Sequence, residues 1–208
     1  MRIDLHVHTR ERSICAHSNT EQMIRAAIDW GLDGIVISDH DRLVPPERLD
    51  YLNLKYAPFR VFGGIEITAH GEHILVLGVS DPALERRQWS YPNLHAFVEE
   101  REGFVAVAHP FRFNPLELKV DVERFRPHAL EAYSRNTPAS AEPRIRALAR
   151  GLGVPVISNS DAHRARDLGT YHNLLDHEPQ DVKDLVRILK AGIFEPVAPT
   201  RTPASSQS

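Results

Sequence analysis

The chain holds a single cysteine, Cys15, which excludes an intramolecular disulfide and leads us to expect a reducing compartment. No apolar run approaches the roughly 20 residues that cross a bilayer. Met1 leads straight into a strand-like segment without a signal-peptide pattern, so a cytoplasmic protein with no membrane partner is expected. Charge of one sign is also missing. The 25 Lys and Arg stand against 28 Asp and Glu, a formal net charge of -3, and the signs are interspersed. No basic stripe marks nucleic acid as a partner.

With 208 residues the sequence suits one domain with a sizeable core, expected over 1–197. The end, "PVAPTRTPASSQS", is rich in Pro, Ser and Thr and has almost nothing to bury, so 198–208 are expected to form a disordered tail. Oligomeric state is not legible at this level.

Short β-branched or apolar runs recur between helix-like stretches: "RIDLHVH", "GIVISDH", "RVFGGIEIT", "HILVLGV", "FVAVAHP", "ALEAYS" and "VPVISNSDAH". Their composition reads as buried parallel strands. "NTEQMIRAAIDWG", "PNLHAFVEEREG", "ASAEPRIRALARGLG" and "EPQDVKDLVRILKAG" read as helices, the first capped by Asn19 or Thr20 and ended by Gly31. Alternating strand and helix predicts right-handed βαβ units, and about seven of them favour a barrel.

Chemistry collects at one place in that pattern. In "RIDLHVHTR" side chains alternate with a period of two, so Asp4, His6 and His8 point the same way. Two imidazoles in one small space repel when protonated and need partners when neutral, an arrangement that suits a metal cation. His40 ends the second run, Glu66 lies near the end of the third, His109 ends the fifth, and Asp161 and His163 follow the seventh. Catalytic groups of parallel barrels gather at the C-terminal ends of strands. His73 precedes its run, and reaches the same mouth if that strand is antiparallel or curls across it. An ionised Glu66 between Ile65 and Ile67 costs several kcal/mol unless paired or coordinated. Imidazoles and carboxylates without clustered thiolates suit zinc, manganese or iron, and these ligands exceed the capacity of one tetrahedral ion, so at least two metals are expected.

In order, "DLHVHT", "SDHD", "GIEIT" with "HILVLG", "VAHP" and "NSDAH" resemble the motifs of the PHP domain, the polymerase and histidinol phosphatase superfamily, over about residues 2 to 165. The resemblance implies an α/β fold, a distorted TIM-like (β/α)7 barrel, with two or three divalent metals that hydrolyse phosphate esters. It implies that His6, His8, Glu66 and Asp161 hold one metal, that Glu66 bridges to a second held by His73 and His109, and that His40 and His163 belong to a third site. The family often places an acid or histidine in the loop after the first motif. Here "RERSICAHSNT" offers His17, Cys15 and Glu11, and loop spacing does not choose between them. His17 is the preferred metal ligand, and Cys15 reads as a small buried hydrophobe.

Arg112, Arg42, Arg135 and Arg164 lie near strand ends, where a guanidinium can hold two phosphate oxygens at once. Arg112 is the first choice. His70, His95, His128, His172 and His177 fall in loops or on helix faces and carry no expected chemistry. The expected reaction is hydrolysis of a small phosphomonoester or phosphodiester through a metal-activated water, with Glu66, Asp161 and His163 as catalytic residues. Asp161 would bind metal and orient or deprotonate the water. Two rivals stand beside this reading. An amidohydrolase-like enzyme shares such a site but usually has a bridging lysine, and none of the strand positions holds lysine; an inactive PHP domain would bind its ligand without turnover.

Overall fold

The alternation in "RIDLHV" builds strand β1 (Arg2–Val7), buried at every position after the first. The computed structural model describes residues 1–86 and 88–199, so most of the tail expected at 198–208 lies outside the described residues. Eight further strands follow: β2 (Gly34–Ile37), β3 (Arg60–Ala69), β4 (Glu72–Leu77), β5 (Phe104–Val107), β6 (Ala129–Tyr133), β7 (Val156–Ser158), β8 (His172–Leu175) and β9 (Phe194–Val197). The helices are α1 (Thr20–Asp29), α2 (Pro46–Tyr56), α3 (Tyr91–Glu99), α4 (Glu142–Leu152) and α5 (Val182–Ala191). Among the described residues no helix is long and apolar enough to cross a membrane.

All nine strands form one sheet in the order β7-β6-β5-β4-β3-β2-β1-β8-β9. It curls toward closure. Val7 bridges in parallel to Ala162, with the His8 amide donating to the Ala162 carbonyl at 2.9 Å, and Ser158 Oγ donates to the Val197 carbonyl at 2.6 Å. The result is a distorted TIM-like α/β barrel with helices packed around it.

Seven strands were expected to run parallel, and β4 does not. It is antiparallel to both β3 and β5. Ala69 pairs with Glu72, leaving a two-residue turn in which His70 and Gly71 have φ of 52° and 81°. Two residues with positive φ make a tight hairpin, whereas a parallel return needs a crossover of a dozen or more. The turn also brings the start of β4, with His73, to the mouth where the parallel strands end. β8 and β9 were not expected; both are short, and β9 is an edge strand that tolerates Pro196.

The four expected helices form and α2 joins them. Asn19 and Gln22 make a capping box at the start of α1, and Gly31, with φ of 78°, follows its end. Met23, Ile24 and Ala27 of α1 pack with Val7, Ile35, Ile37 and Val61. On α5, Leu185, Ile188 and Leu189 cover Ile3, Leu5, Leu75, Leu77 and Phe104. Burying such side chains contributes about 1.5–3 kcal/mol each, and this apolar support holds the polar mouth in place. Between β5 and β6 the chain makes no helix, and that irregular connection carries Arg112 and Phe113.

Candidate metal centre

Glu66 stands at the middle of the mouth, 1% exposed. Its Oε1 lies 2.9 Å from His73 Nδ1, 3.2 Å from His6 Nε2 and 3.4 Å from His109 Nε2. Its Oε2 lies 2.9 Å from His40 Nδ1 and 3.2 Å from His8 Nε2. Each oxygen therefore faces its own set of imidazoles. Asp161 closes the other side, with Oδ1 3.2 Å from His8 Nε2, 3.4 Å from His6 Nε2 and 3.5 Å from His163 Nδ1. Asn136 Nδ2 donates to Asp161 Oδ2 at 2.6 Å, and Arg112 Nη1 donates to the same oxygen at 3.4 Å.

Hydrogen bonds behind the rings fix which nitrogens hold protons. His6 Nδ1 lies 3.1 Å from Glu131 Oε1, an acceptor, so Nδ1 carries the hydrogen and Nε2 presents a lone pair. Ser13 Oγ donates to Asp39 at 2.7 Å and so accepts from His8 Nδ1 at 3.2 Å. When both rings are neutral, the His8 Nε2 lone pair faces His6 Nε2 at 3.0 Å. Two lone pairs that close, beside two carboxylates, are repulsive unless a cation lies between them. Glu66 Oε2 and Asp161 Oδ1 are buried and have no hydrogen-bond donor. The donor set thus fits metal ions. Three groups of side chains bring their ligand atoms close enough to share an ion: His6, His8 and Asp161; His40, Glu66 and His73; and His8, His40 and His163.

Protonation follows the same electrostatics. Burial opposes charge on His6 and His8, but Asp161 and Glu66 outweigh it, lifting His6 well above 6.5 and His8 to about 9. Burial pushes the other way on Glu66 and Asp161, whose carboxyls the imidazoles nevertheless hold below the ordinary range. Without metal, protons on the imidazoles offset the charge of the ionised acids. Beneath them, burial raises the Asp4 carboxyl to about 7 although it accepts from the His6 and Ser160 amides.

The backbone is strained at the same place. His109, Phe111 and Asp161 have φ of 28°, 65° and 51°, a region non-glycine residues enter at a cost of about 1–3 kcal/mol each. Such strain persists only where surrounding contacts impose it.

The structure brings together His6, His8, His40, Glu66, His73, His109, Asp161 and His163. It does not bring His17 to them. The His17 ring is exposed with Nε2 3.3 Å from the Arg164 guanidinium, while its amide donates to the His163 carbonyl at 2.8 Å. Glu11 caps α1 by accepting from the Thr20 amide at 3.0 Å. Cys15 corrects the expectation of a buried hydrophobe, for it is exposed. Ser13 and Ala16 turn inward, joined by a 3.0 Å main-chain bond, and this leaves Ile14 and Cys15 on the outer side of the loop. Arg112 reaches the cluster, 3.3 Å from His109 Nε2. Arg42 turns to Glu85 at 3.8 Å and Arg135 to Asp167 at 3.4 Å.

Several site residues escaped the sequence reading. Glu131, fully buried on β6, carried the signal that exposed Glu66, a carboxylate between apolar residues in a strand. Asp39 accepts from Thr9 and Ser13 and so anchors the first loop. Asn136 and the half-exposed Phe113, whose ring lies 5.0 Å from that of His73, had no comparable signal.

Residues 140–193 match the family model described as PHP-associated. No curated protein matches the chain. Among solved structures, a protein from Bifidobacterium adolescentis provisionally described as a metal-dependent phosphoesterase shares the fold at a TM-score of 0.67 and 16% identity, over 90% of this chain and 95% of that one. A two-domain Bacteroides vulgatus protein containing a predicted PHP-like metal-dependent phosphoesterase matches at 0.70 and 15% identity, over 95% of this chain and 64% of that one. An amidohydrolase from Chromobacterium violaceum, solved with bound sulfate and no metal, matches at 0.62 and 15% identity, over 94% and 98%. At these identities the structural likeness establishes the barrel. The PHP-associated match covers residues 140–193, and the ordered strand-end motifs resemble those of the PHP domain superfamily.

Proposed function

We propose that the protein is a metal-dependent phosphoesterase acting on a small phosphorylated molecule. The observation that carries this reading is the Glu66 carboxylate, whose two oxygens face five imidazoles, with the Arg112 guanidinium beside the cluster. His6, His8 and Asp161 would hold one ion, Glu66 would bridge toward a second with His40, His73 and His109, and His8, His40 and His163 could hold a third. An oxygen and nitrogen donor set suits zinc, manganese or iron. When bound, such ions supply an activated water and positive charge for the phosphate oxygens.

The chain's own groups do the rest. Arg112 grips phosphate oxygens, since a planar guanidinium matches them two at a time. Asn136 and Arg112 hold Asp161 Oδ2, which leaves Oδ1 turned to the cluster to orient or deprotonate the water. His163, where it holds no ion, would be the imidazole placed to protonate the leaving oxygen. The amide-hydrolase alternative lacks support at its bridging position, because no strand among the described residues contains a lysine.

The test strips the protein with chelator, restores manganese, zinc or iron separately, and follows phosphate release from a panel of monoesters and diesters alongside hydrolysis of amides. Chelator-sensitive phosphate release is expected. A fully metallated protein that cleaves amides and no phosphate ester overturns the reading.

A further inference from the structure

Glu131 lies beneath the cluster, fully buried, and touches no substrate-facing space. Three donors converge on its two oxygens. His6 Nδ1 and Asn159 Nδ2 meet Oε1 at 3.1 and 2.8 Å, and the His109 amide meets Oε2 at 3.0 Å. The Asn159 orientation is itself fixed, because its Oδ1 accepts from the Leu5 amide at 3.1 Å and from Asn173 Nδ2 at 2.9 Å. A carboxylate accepts on both oxygens at once. A glutamine would present one acceptor and turn an NH2 group against at least one donor.

Both residues so held face Glu66 Oε1, His6 Nε2 at 3.2 Å and His109 Nε2 at 3.4 Å, but their other neighbours differ. His6 belongs with His8 and Asp161, whereas the His109 ring lies beside that of His73, 5.0 Å between centroids. His109 also has a positive backbone φ of 28°, and its amide is the atom that Glu131 pins. Its ring Nδ1 is buried without a hydrogen-bond partner. We infer that Glu131 is a positioning residue that couples two metal positions, one carboxylate setting the tautomer of His6 and the main-chain placement of His109. The inference rests on the metal-cluster part of the proposed function. Carboxylates behind metal-bound histidines raise metal affinity by about 10–100-fold where they have been removed, ordinarily at the one ion their histidine holds. Here the geometry links two.

The experiment titrates metal-stripped full-length protein with Mn2+ by calorimetry and with Co2+ by visible absorption, comparing the parent with Glu131→Gln and Glu131→Asp. Glu131→Gln is expected to weaken at least two Mn2+ equivalents together by about 10–100-fold and to alter the Co2+ bands. Glu131→Asp, which keeps both acceptor oxygens, should recover part of the loss. In a His6→Ala background the effect of Glu131→Gln should shrink, because part of its action passes through that ring. Parent-like stoichiometry, affinity and Co2+ bands in Glu131→Gln overturn the inference, and a loss confined to one equivalent overturns the coupling. If Glu131→Gln does not fold, Glu131→Asp decides by the same readings: unchanged binding, or weakening at one equivalent alone, counts against it. A protein that fills with metal normally yet releases no phosphate refutes the phosphoesterase reading and leaves this one standing.

Discussion

The floor of the metal centre and its rim are both built from charged or titratable residues, yet they behave differently. His6, His8, Glu66, His109 and Asp161 on the floor are at most 3% exposed, whereas the Arg42 and Arg135 side chains of the rim are 56% and 52% exposed. Floor residues ride on strands or within three residues of them, so sheet register fixes their direction. Rim residues ride on loops, where local turns and passing carboxylates decide it. The difference teaches that charge on the floor is committed to the cluster, while charge on the rim is largely spent on neighbours such as Glu85 and Asp167.

If that contrast is right, the largest effect belongs to Glu66. Glu66→Gln keeps volume and removes the charge that faces five imidazoles, so hydrolysis should fall by about 1,000-fold or more while the fold survives. Turnover of a phosphate ester and metal content measured together check it. Near-normal values in both would remove Glu66 from the centre of the floor.

The floor should also bind protons in place of metal. His8 is raised from 6.5 to about 9 in the metal-free fold, despite burial, by Asp161 and Glu66. A raised histidine adds stability that is fully present below its unfolded value of 6.5 and is lost as pH rises through about 9. The His8 contribution to the metal-free protein therefore fades across that window, while metal ions compete with one proton fewer. Added Mn2+ should raise the melting temperature more at pH 9 than at pH 6.5, and apparent affinity should change about tenfold per pH unit for each proton displaced. Equal shifts at both pH values would separate the floor histidines from the metal.

Arg112 bridges the two regions, for it starts in a loop and ends against Asp161 and His109. Arg112→Ala should lower kcat/KM by about 10–100-fold, the worth of a hydrogen bond to a charged group, with metal content unchanged. Arg135→Ala should do far less, since Asp167 already holds that side chain. Steady-state kinetics of the two variants on one substrate make the comparison.

What could be read from the sequence follows the same division. Period-two spacing in β1 and just past β7, and single acids or histidines at apolar run ends, marked the floor, because in and beside a strand sequence position and direction are tied. The antiparallel β4 hid in "AHGE", where a His-Gly turn carries less signal than Asn-Gly or Asp-Gly, although the sequence had left room for it. α2 was missed because "PERLDYLNLKY" buries only Leu52 and so shows little periodicity. β8 and β9 were too short to stand out. Asn136 reaches Asp161 across 25 residues, and no local pattern announces such a contact.

The smallest effect is expected where sequence and structure part, at His17. The sequence reading prefers it to Cys15 and Glu11 as the ligand for a third ion beside His40 and His163, although loop spacing does not choose between them. In the fold, His8 occupies that place in the group, 4.4 Å from the His163 ring centroid and 4.5 Å from that of His40. His17 meets Arg164 instead, and its main chain, not its ring, contacts His163. The amide bond survives any side-chain change. His17→Ala should therefore leave the number of Mn2+ equivalents equal to that of the parent and alter turnover by no more than about twofold, the scale of an exposed contact worth a few tenths of a kcal/mol. His163→Ala is the contrast, since it removes a ring from the group itself and should cost one equivalent or weaken it. Metal titration of both variants decides the matter. Loss of an equivalent in His17→Ala would mean that the loop swings inward when metal binds, and that the rim is recruited to the floor.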